Sequence, residues 1–231
     1  MTLKRKDRDR IDVDERIDSL LRSAVGRDRL WGELDDECRQ SSLVALLESV
    51  AALDGDIIEC GVFRGASIRR VARAVHDGKA ERTIYACDSF EGFPEGGIGR
   101  EDTTLFRPVS LLKGKFTVAG DVPARLEHFF AAFGVRGRIV KGYFADTLPA
   151  LADRDFAFVH IDCDTYRGHL ECLSLLYDRV VPGGVVVFDD YRGPKWPGAT
   201  KAVDEFFAER PEKPQLSRDR AQPAWYVRKP G

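Results

Sequence analysis

The sequence lacks four features that would each have settled a class of protein. It has no Cys-x-x-Cys pair, no apolar stretch long enough to span a bilayer, no internal repeat or low-complexity tract, and almost no net charge. The 36 Lys and Arg set against 38 Asp and Glu leave a formal charge of −2, so nothing electrostatic points to nucleic acid as the main partner. The five cysteines, Cys38, Cys60, Cys87, Cys163 and Cys172, are scattered, and three lie inside strongly apolar runs. Free thiols packed as small hydrophobes are distributed in this way, which fits a reducing, cytoplasmic setting. The start of the chain, Met1 to Asp18, is charged throughout and has no apolar core of a secretion signal, so neither a signal nor a membrane anchor is expected. Its mixed-charge run from Lys4 to Asp18 reads as a solvated helix or tail.

What is present is the composition of one globular domain: 231 residues, 43% hydrophobic and 32% charged, enough for a sizeable core. Short apolar runs alternate with stretches of helical period, the pattern of a mostly parallel α/β sheet of six or seven strands. Strands are expected at Asp56 to Gly61, Thr83 to Asp88, Arg138 to Gly142, Phe156 to Asp162 and Gly184 to Asp189. Their near-continuous hydrophobicity implies burial on both faces. Helices are expected at Ala66 to Val75, Val122 to Phe133, Thr147 to Ala152, Gly168 to Asp178 and Thr200 to Glu209. The segment from Gln215 to Arg228, with Pro223 between two short runs, reads as edge strands closing the sheet in antiparallel sense. Two regions fall outside this repeat. Residues 1–54 carry two helical patterns, Val13 to Val25 and Cys38 to Leu53, and form an N-terminal helical cap. Residues 91–120, rich in Gly and polar residues, are long for an idle connection and read as a lid or insertion loop.

Three motifs could carry chemistry. The first, IECGVFRGAS (Ile58 to Ser67), places an acidic residue at a strand end before glycines spaced G-x-x-x-G. Such glycines let backbone approach a ligand, but the spacing is not the G-x-G-x-x-G of a dinucleotide site, and a tight turn with no ligand is the plain alternative. The second is Asp88, ending the next strand in YACDSFEGFPE, where its carboxylate could accept both hydroxyls of a ribose or simply cap a turn. The third pairs HIDCDTY (His160 to Tyr166) with FDDY (Phe188 to Tyr191) on successive strands. Asp162, Asp164, Asp189 and Asp190 would repel one another in a cleft, with no Lys or Arg in either motif to offset them. A divalent cation resolves that conflict. All-oxygen ligands and an incomplete protein shell favour Mg²⁺ over Ca²⁺, with Mn²⁺ able to substitute. The plain alternative is that Asp189 and Asp190 cap the following loop while Asp162 bonds backbone. His160 shares the strand face of Asp162 but lies deeper, as a satisfied core histidine would. His76, His128 and His169 show no partner pattern.

With these motifs together the chain resembles the class I S-adenosylmethionine-dependent methyltransferases, and within them the macrocin O-methyltransferase (TylF/MycF) family, which modifies sugars on natural products. The likeness covers Ile57 to about Phe207, through IECGVFRG, ACDSFEGFPE, KGYFADTLP, HIDCDTY, LYDRVVPGG, DDY and KAVDEF. It implies a Rossmann-like, doubly wound, mostly parallel seven-stranded sheet with helices on both faces. It implies further that Glu59, Gly61, Phe63, Gly65 and Ser67 line the methionine end of S-adenosyl-L-methionine, that Asp88, followed by Ser89, binds the ribose, and that Phe144 and Ala145 lie near the adenine. Asp162, Asp189 and Asp190 would hold Mg²⁺, as an Asp and an Asp-Asn pair do in catechol O-methyltransferase.

The mechanism this implies agrees with the residues. A metal-chelated vicinal diol loses a proton to Asp162, or to Asp164 in reserve, and the oxygen takes the sulfonium methyl. The expected acceptor is a small molecule, a sugar hydroxyl of a glycoside, with no nucleic acid or membrane partner, and the N-terminal helices offer a surface for self-association. A catechol-like phenol methyltransferase and a non-catalytic nucleoside-binding protein are the alternatives. Trp196, in RGPKWPGAT, could stack on an acceptor or pack on the body of the protein.

Overall fold

Each buried apolar run in this chain is followed by a helix with one apolar face, and that alternation returns the chain to the same sheet edge and so builds parallel strands. A computed structural model of the protein describes residues 15–78, 81–103 and 120–231. After a short helix over 15–21 come α1 (Ala24–Gln40) and α2 (Ser42–Glu48). The repeat then runs β1 (Asp56–Cys60), α3 (Ala66–Asp77), β2 (Ile84–Asp88), α4 (Val122–Ala132), β3 (Gly137–Lys141), α5 (Phe144–Thr147), β4 (Phe156–Ile161), α6 (Tyr166–Leu176), β5 (Val180–Phe188) and α7 (Pro197–Phe206). A hairpin, β6 (Gln215–Ser217) and β7 (Ala224–Arg228), follows.

The seven strands form one sheet in the order β3-β2-β1-β4-β5-β7-β6, as expected of a class I methyltransferase fold. β1 to β5 are parallel, and β7 runs antiparallel to both of its neighbours. Strand order reverses between β1 and β4, so their carboxyl ends flank the crevice in which open α/β sheets bind ligands. The register sets Glu59 beside His160 and Cys60 beside Cys87.

Successive residues face opposite sides. Ile57, Phe158 and Val187 pack with α1 to α4 in one core, while Ile58, Val159 and Phe188 pack with α6 and α7 in the other. All six residues of β4 are buried, which accounts for its unbroken apolar run. All five cysteines are buried free thiols, and burial pushes the Cys38 thiol up to about 11.

The N-terminal helices lie on the α3 side of the sheet. Trp31 stacks on Phe133 at 3.9 Å, and the Arg73 guanidinium sits 4.8 Å over the Trp31 ring. Their far end is tied to the hairpin: Gln222 donates its N–H to the Gln40 carbonyl (2.7 Å) and accepts from the Ser42 N–H (2.9 Å). Arg220 Nη1 adds a bond to the Cys38 carbonyl at 2.6 Å.

Helix α1 begins well before the helical pattern expected from Cys38. Its buried positions are Gly26, Leu30, Leu34 and Cys38, one per turn, a stripe too narrow to stand out among charged neighbours. The Ser23 hydroxyl caps it by accepting the Gly26 N–H at 3.0 Å. β5 starts at Val180 rather than Gly184, because the register jumps from Phe156↔Val180 to Phe158↔Val185 and carries Pro182 and Gly183 outward between them. The helix expected from Thr147 is a turn of α-helix, α5, continued by a 3₁₀ turn at Leu148–Leu151. Of the expected lid, residues 104–119 lie outside the described residues, as does most of the charged start. Among the described residues no helix is long and apolar enough to cross a membrane.

Phe158 is fully buried on a central strand. Its truncation in Phe158→Ala is expected to cost about 3–5 kcal/mol, read as a lower urea midpoint with an unchanged slope.

Candidate functional site

At the carboxyl end of β1 the chain must turn sharply and still let β4 pass close by. Gly61 makes both possible: its φ is +93°, and a Cβ there would overlap the Asp162 carbonyl oxygen. Gly65, at φ +82°, is the N-cap of α3, where a Cβ would press into Leu126. These glycines are therefore required by the protein's own packing, before any ligand is considered.

Asp88 sits at the end of β2 and organises this turn. Its Oδ2 accepts the N–H groups of Val62 and Phe63, both at 2.8 Å, and its Oδ1 accepts that of Phe90 at 2.6 Å. A carboxylate offers about four acceptor positions, so this half-buried group keeps capacity for a ligand hydroxyl. Ser89 is spent locally, its hydroxyl donating to the Gly92 carbonyl at 2.7 Å and accepting the Glu91 N–H at 3.1 Å. Phe144 and Ala145 open α5 just beyond β3, beside Asp88, whose carbonyl accepts the Gly142 N–H at 3.0 Å.

The second half of the site grows from the Glu59–His160 register. Glu59 is fully buried; its Oε1 accepts from the Ser67 hydroxyl (2.8 Å) and its Oε2 lies 3.1 Å from His160 Nδ1. Glu59 and Ser67 thus meet each other, not open space. Burial alone would push the His160 imidazole down, but the Glu59 hydrogen bond and charge, with Asp162 and Asp189 beyond, hold it up at about 9.

A ring nitrogen of His160 and one carboxylate oxygen each of Asp162 and Asp189 lie within 4.8 Å of one another. Burial and the Asp189 charge push the Asp162 carboxyl well above the usual range. Asp190, expected alongside them, is not in that trio: its Oδ2 accepts the Asp164 N–H at 3.0 Å. Burial raises its carboxyl too, countered by His169.

His169, for which the sequence offered no partner, is buried behind this loop, with Nδ1 2.9 Å from the Thr165 carbonyl oxygen and 3.4 Å from Cys163 Sγ. Trp196 is 4% exposed and meets Phe93 edge to face at 5.9 Å, so it packs on the protein. His160, read as a satisfied core histidine, is one: it is buried and its ring nitrogen is paired with Glu59. Asp102, buried against the start of α6, carries no motif that marks it.

Four non-glycine residues of the described chain adopt positive φ: Phe63, Phe90, Asp164 and Arg192, at 51°, 57°, 62° and 58°. They follow β1, β2, β4 and β5 respectively, and so all lie at one sheet edge. Strain gathered there marks a site whose surroundings over-determine it. Asp162, whose charge is disfavoured by burial and by Asp189, and the exposed Asp189 beside it form a pair of oxygen donors that fits a hard divalent cation with exchangeable positions left for other ligands, while His160, bonded to Glu59, lies behind them. The residual acceptor capacity of Asp88 fits a ribose.

A rhamnosyl-tetracenomycin-C 4'-O-methyltransferase from Streptomyces olivaceus is 35% identical over 164 residues, 66% of this chain and 60% of that protein. Mycinamicin III 3''-O-methyltransferase from Micromonospora griseorubida is 31% identical over 161 residues, again 66% and 60%. The match thus spans about three-fifths of the length of these curated relatives. Among solved structures, the calicheamicin methyltransferase CalS11 superposes with a TM-score of 0.73 at 25% identity, covering 99% of this chain and 94% of that one. Residues 8–226, nearly the whole sheet and both halves of the site edge, match the family model for macrocin O-methyltransferase (TylF), and the chain belongs to that family.

Proposed function

We propose that this protein is an S-adenosylmethionine-dependent O-methyltransferase, assisted by Mg²⁺ or Mn²⁺, that methylates one hydroxyl of a vicinal diol on a sugar of a small natural-product glycoside. The observation that carries the reading is the meeting of two half-sites at one sheet edge: Asp88 with the glycine turn, and Asp162 with Asp189 and His160. The relatives' activities on rhamnosyl and other natural-product substrates support the acceptor class.

Bound there, S-adenosylmethionine supplies an electrophilic sulfonium methyl, and a hard cation supplies charge that makes an acceptor hydroxyl more acidic. The protein's own part is alignment and proton transfer. Asp88 orients the ribose hydroxyls, and its three amide bonds keep the Val62–Phe63 turn in place while it does so. Asp162 and Asp189, with Asp190 on the neighbouring position, hold the cation. Asp162 is placed to take the proton that an acceptor hydroxyl would give up on methylation, with Asp164 the second carboxylate on the same loop. Glu59 and His160 keep Asp162 in register with the glycine turn, because they join β1 to β4 two residue pairs beneath it.

Calorimetric titration with S-adenosylhomocysteine is expected to show binding that EDTA does not weaken, and absence of binding overturns the cofactor. Asp88→Ala should weaken that binding about tenfold or more, the loss expected for a charged hydrogen-bond acceptor; an unchanged dissociation constant removes the ribose assignment. Asp189→Ala should lower methyl transfer to diol acceptors by about a hundredfold while S-adenosylhomocysteine binding persists. Equal loss of both would contradict the division between the two half-sites.

A further inference from the structure

Between Asp88 and Asp102 the chain crosses the whole site edge. It leaves β2 at the candidate ribose ligand and ends in a 3₁₀ turn, Arg100–Asp102, packed against the start of α7 and of α6. Its last residue is a carboxylate only 1% exposed. Asp102 Oδ1 accepts the Tyr166 N–H at 2.6 Å, and Oδ2 accepts the Gly99 N–H at 2.8 Å. Tyr166 is the first residue of α6, so its amide is one of the donors a helix start leaves without an intrahelical partner, at the positive end of the helix dipole. Burial pushes the Asp102 carboxyl up, and these two amide bonds oppose it.

Gly198 in α7 leaves room for this contact: a Cβ there would overlap Asp102 Oδ1 and press on the Tyr166 Cβ. Phe93 and Ile98, upstream on the same strap, pack on Trp196 and Ala199.

The loop that Asp102 reaches is the one carrying Asp162 and Asp164. It is short, and Asp164 is held at φ +62°. Two carboxylate-to-amide bonds bracket the strained residue: Asp190 to the Asp164 N–H, and Asp102 to the Tyr166 N–H. We propose that Asp102 is a positioning residue for the metal edge: by fixing the first turn of α6 it holds the Asp162–Asp164 loop in the geometry that binds a divalent cation. The same contact ties the strap that starts at Asp88 to the second half-site. This inference rests on the reading of that edge as a cation site.

The test uses the whole purified chain without methyl donor or acceptor. Mn²⁺ binding is followed by electron paramagnetic resonance, S-adenosylhomocysteine binding by calorimetry, and amide exchange over 162–168 by mass spectrometry. Asp102→Ala should weaken Mn²⁺ binding about tenfold, the loss typical of an outer residue that orients a metal ligand. It should speed exchange over 162–168 and leave S-adenosylhomocysteine affinity unchanged. Asp102→Asn keeps an acceptor for the Tyr166 N–H while losing the bond from the Gly99 N–H, and should restore Mn²⁺ binding because the Tyr166 bond is the one that fixes the loop. Gly198→Ala displaces the carboxylate without deleting it; it should reproduce the Mn²⁺ loss and carries the test if Asp102→Ala does not fold. Lys201→Ala, which removes the exposed pairs with Glu101 and Glu205 and the cation over the Tyr166 ring but leaves the Asp102 bond to the Tyr166 N–H, should leave Mn²⁺ affinity unchanged. Wild-type Mn²⁺ affinity in Asp102→Ala, or an Asn variant as weak as the Ala variant, overturns the proposal while leaving the cation site intact. A wild-type chain that binds no Mn²⁺ overturns the cation site itself, and the positioning role with it.

Discussion

The buried contact between Glu59 and His160 is what the site edge is built around. Parallel pairing of β1 with β4 brings the two side chains together where neither reaches water, and each satisfies the other. A buried ion pair contributes little net stability compared with apolar residues of the same shape, but removing one partner strands the other charge at a cost of about 3–5 kcal/mol. The register of β1 on β4 is therefore specified by polar chemistry as well as by the apolar residues beneath. Everything above it inherits that register. Gly61 passes Asp162 with no room for a side chain, Asp88 gathers the amides of the adjoining turn, and the carboxylates of β4 and β5 emerge side by side.

Much of this was legible in the residues, and for identifiable reasons. β1, β2 and β4 stand within a residue of their expected bounds because strands buried on both faces leave unbroken apolar runs. The antiparallel hairpin at Gln215 to Arg228 announced itself through Pro223, which cannot donate to a ladder and so sits just ahead of β7. Helix α1 was hidden because it buries one residue per turn. At the site, the strand-end carboxylates were visible as types at a spacing, but their partners were not. Glu59 meeting His160, and Asp102 capping α6 from 64 residues away, are contacts of the tertiary fold and leave no local pattern. The glycines were read as making space for a ligand; the folded chain uses that space first for itself.

The backbone strain has the same origin. Phe63, Phe90, Asp164 and Arg192 each take a left-handed conformation immediately after a strand, where the chain must leave the sheet and turn toward a helix within a few residues. Each is held by neighbouring groups: Asp88 bonds the Phe63 and Phe90 amides, Asp190 bonds that of Asp164, and the Thr200 hydroxyl accepts the Arg192 N–H at 2.8 Å. The carboxylates of this edge thus serve the backbone as well as any ligand, and a substitution at one of them acts on shape and on charge together.

The order of strands also bears on how the chain reaches its native state during synthesis. β5 can pair with β4 as soon as it leaves the ribosome, but its other edge is closed by β7, the later strand of the hairpin, while β6 lies outside. Until Arg228 has emerged, the row Val185 to Phe188 presents open amides and carbonyls beside a fully apolar surface, the kind of edge that invites pairing with another chain. The Gln222 clasp to Gln40 and Ser42 forms at the same late moment, joining segments about 180 residues apart. A nascent chain stalled short of β7 would leave that row of amides and carbonyls open for as long as the stall lasts.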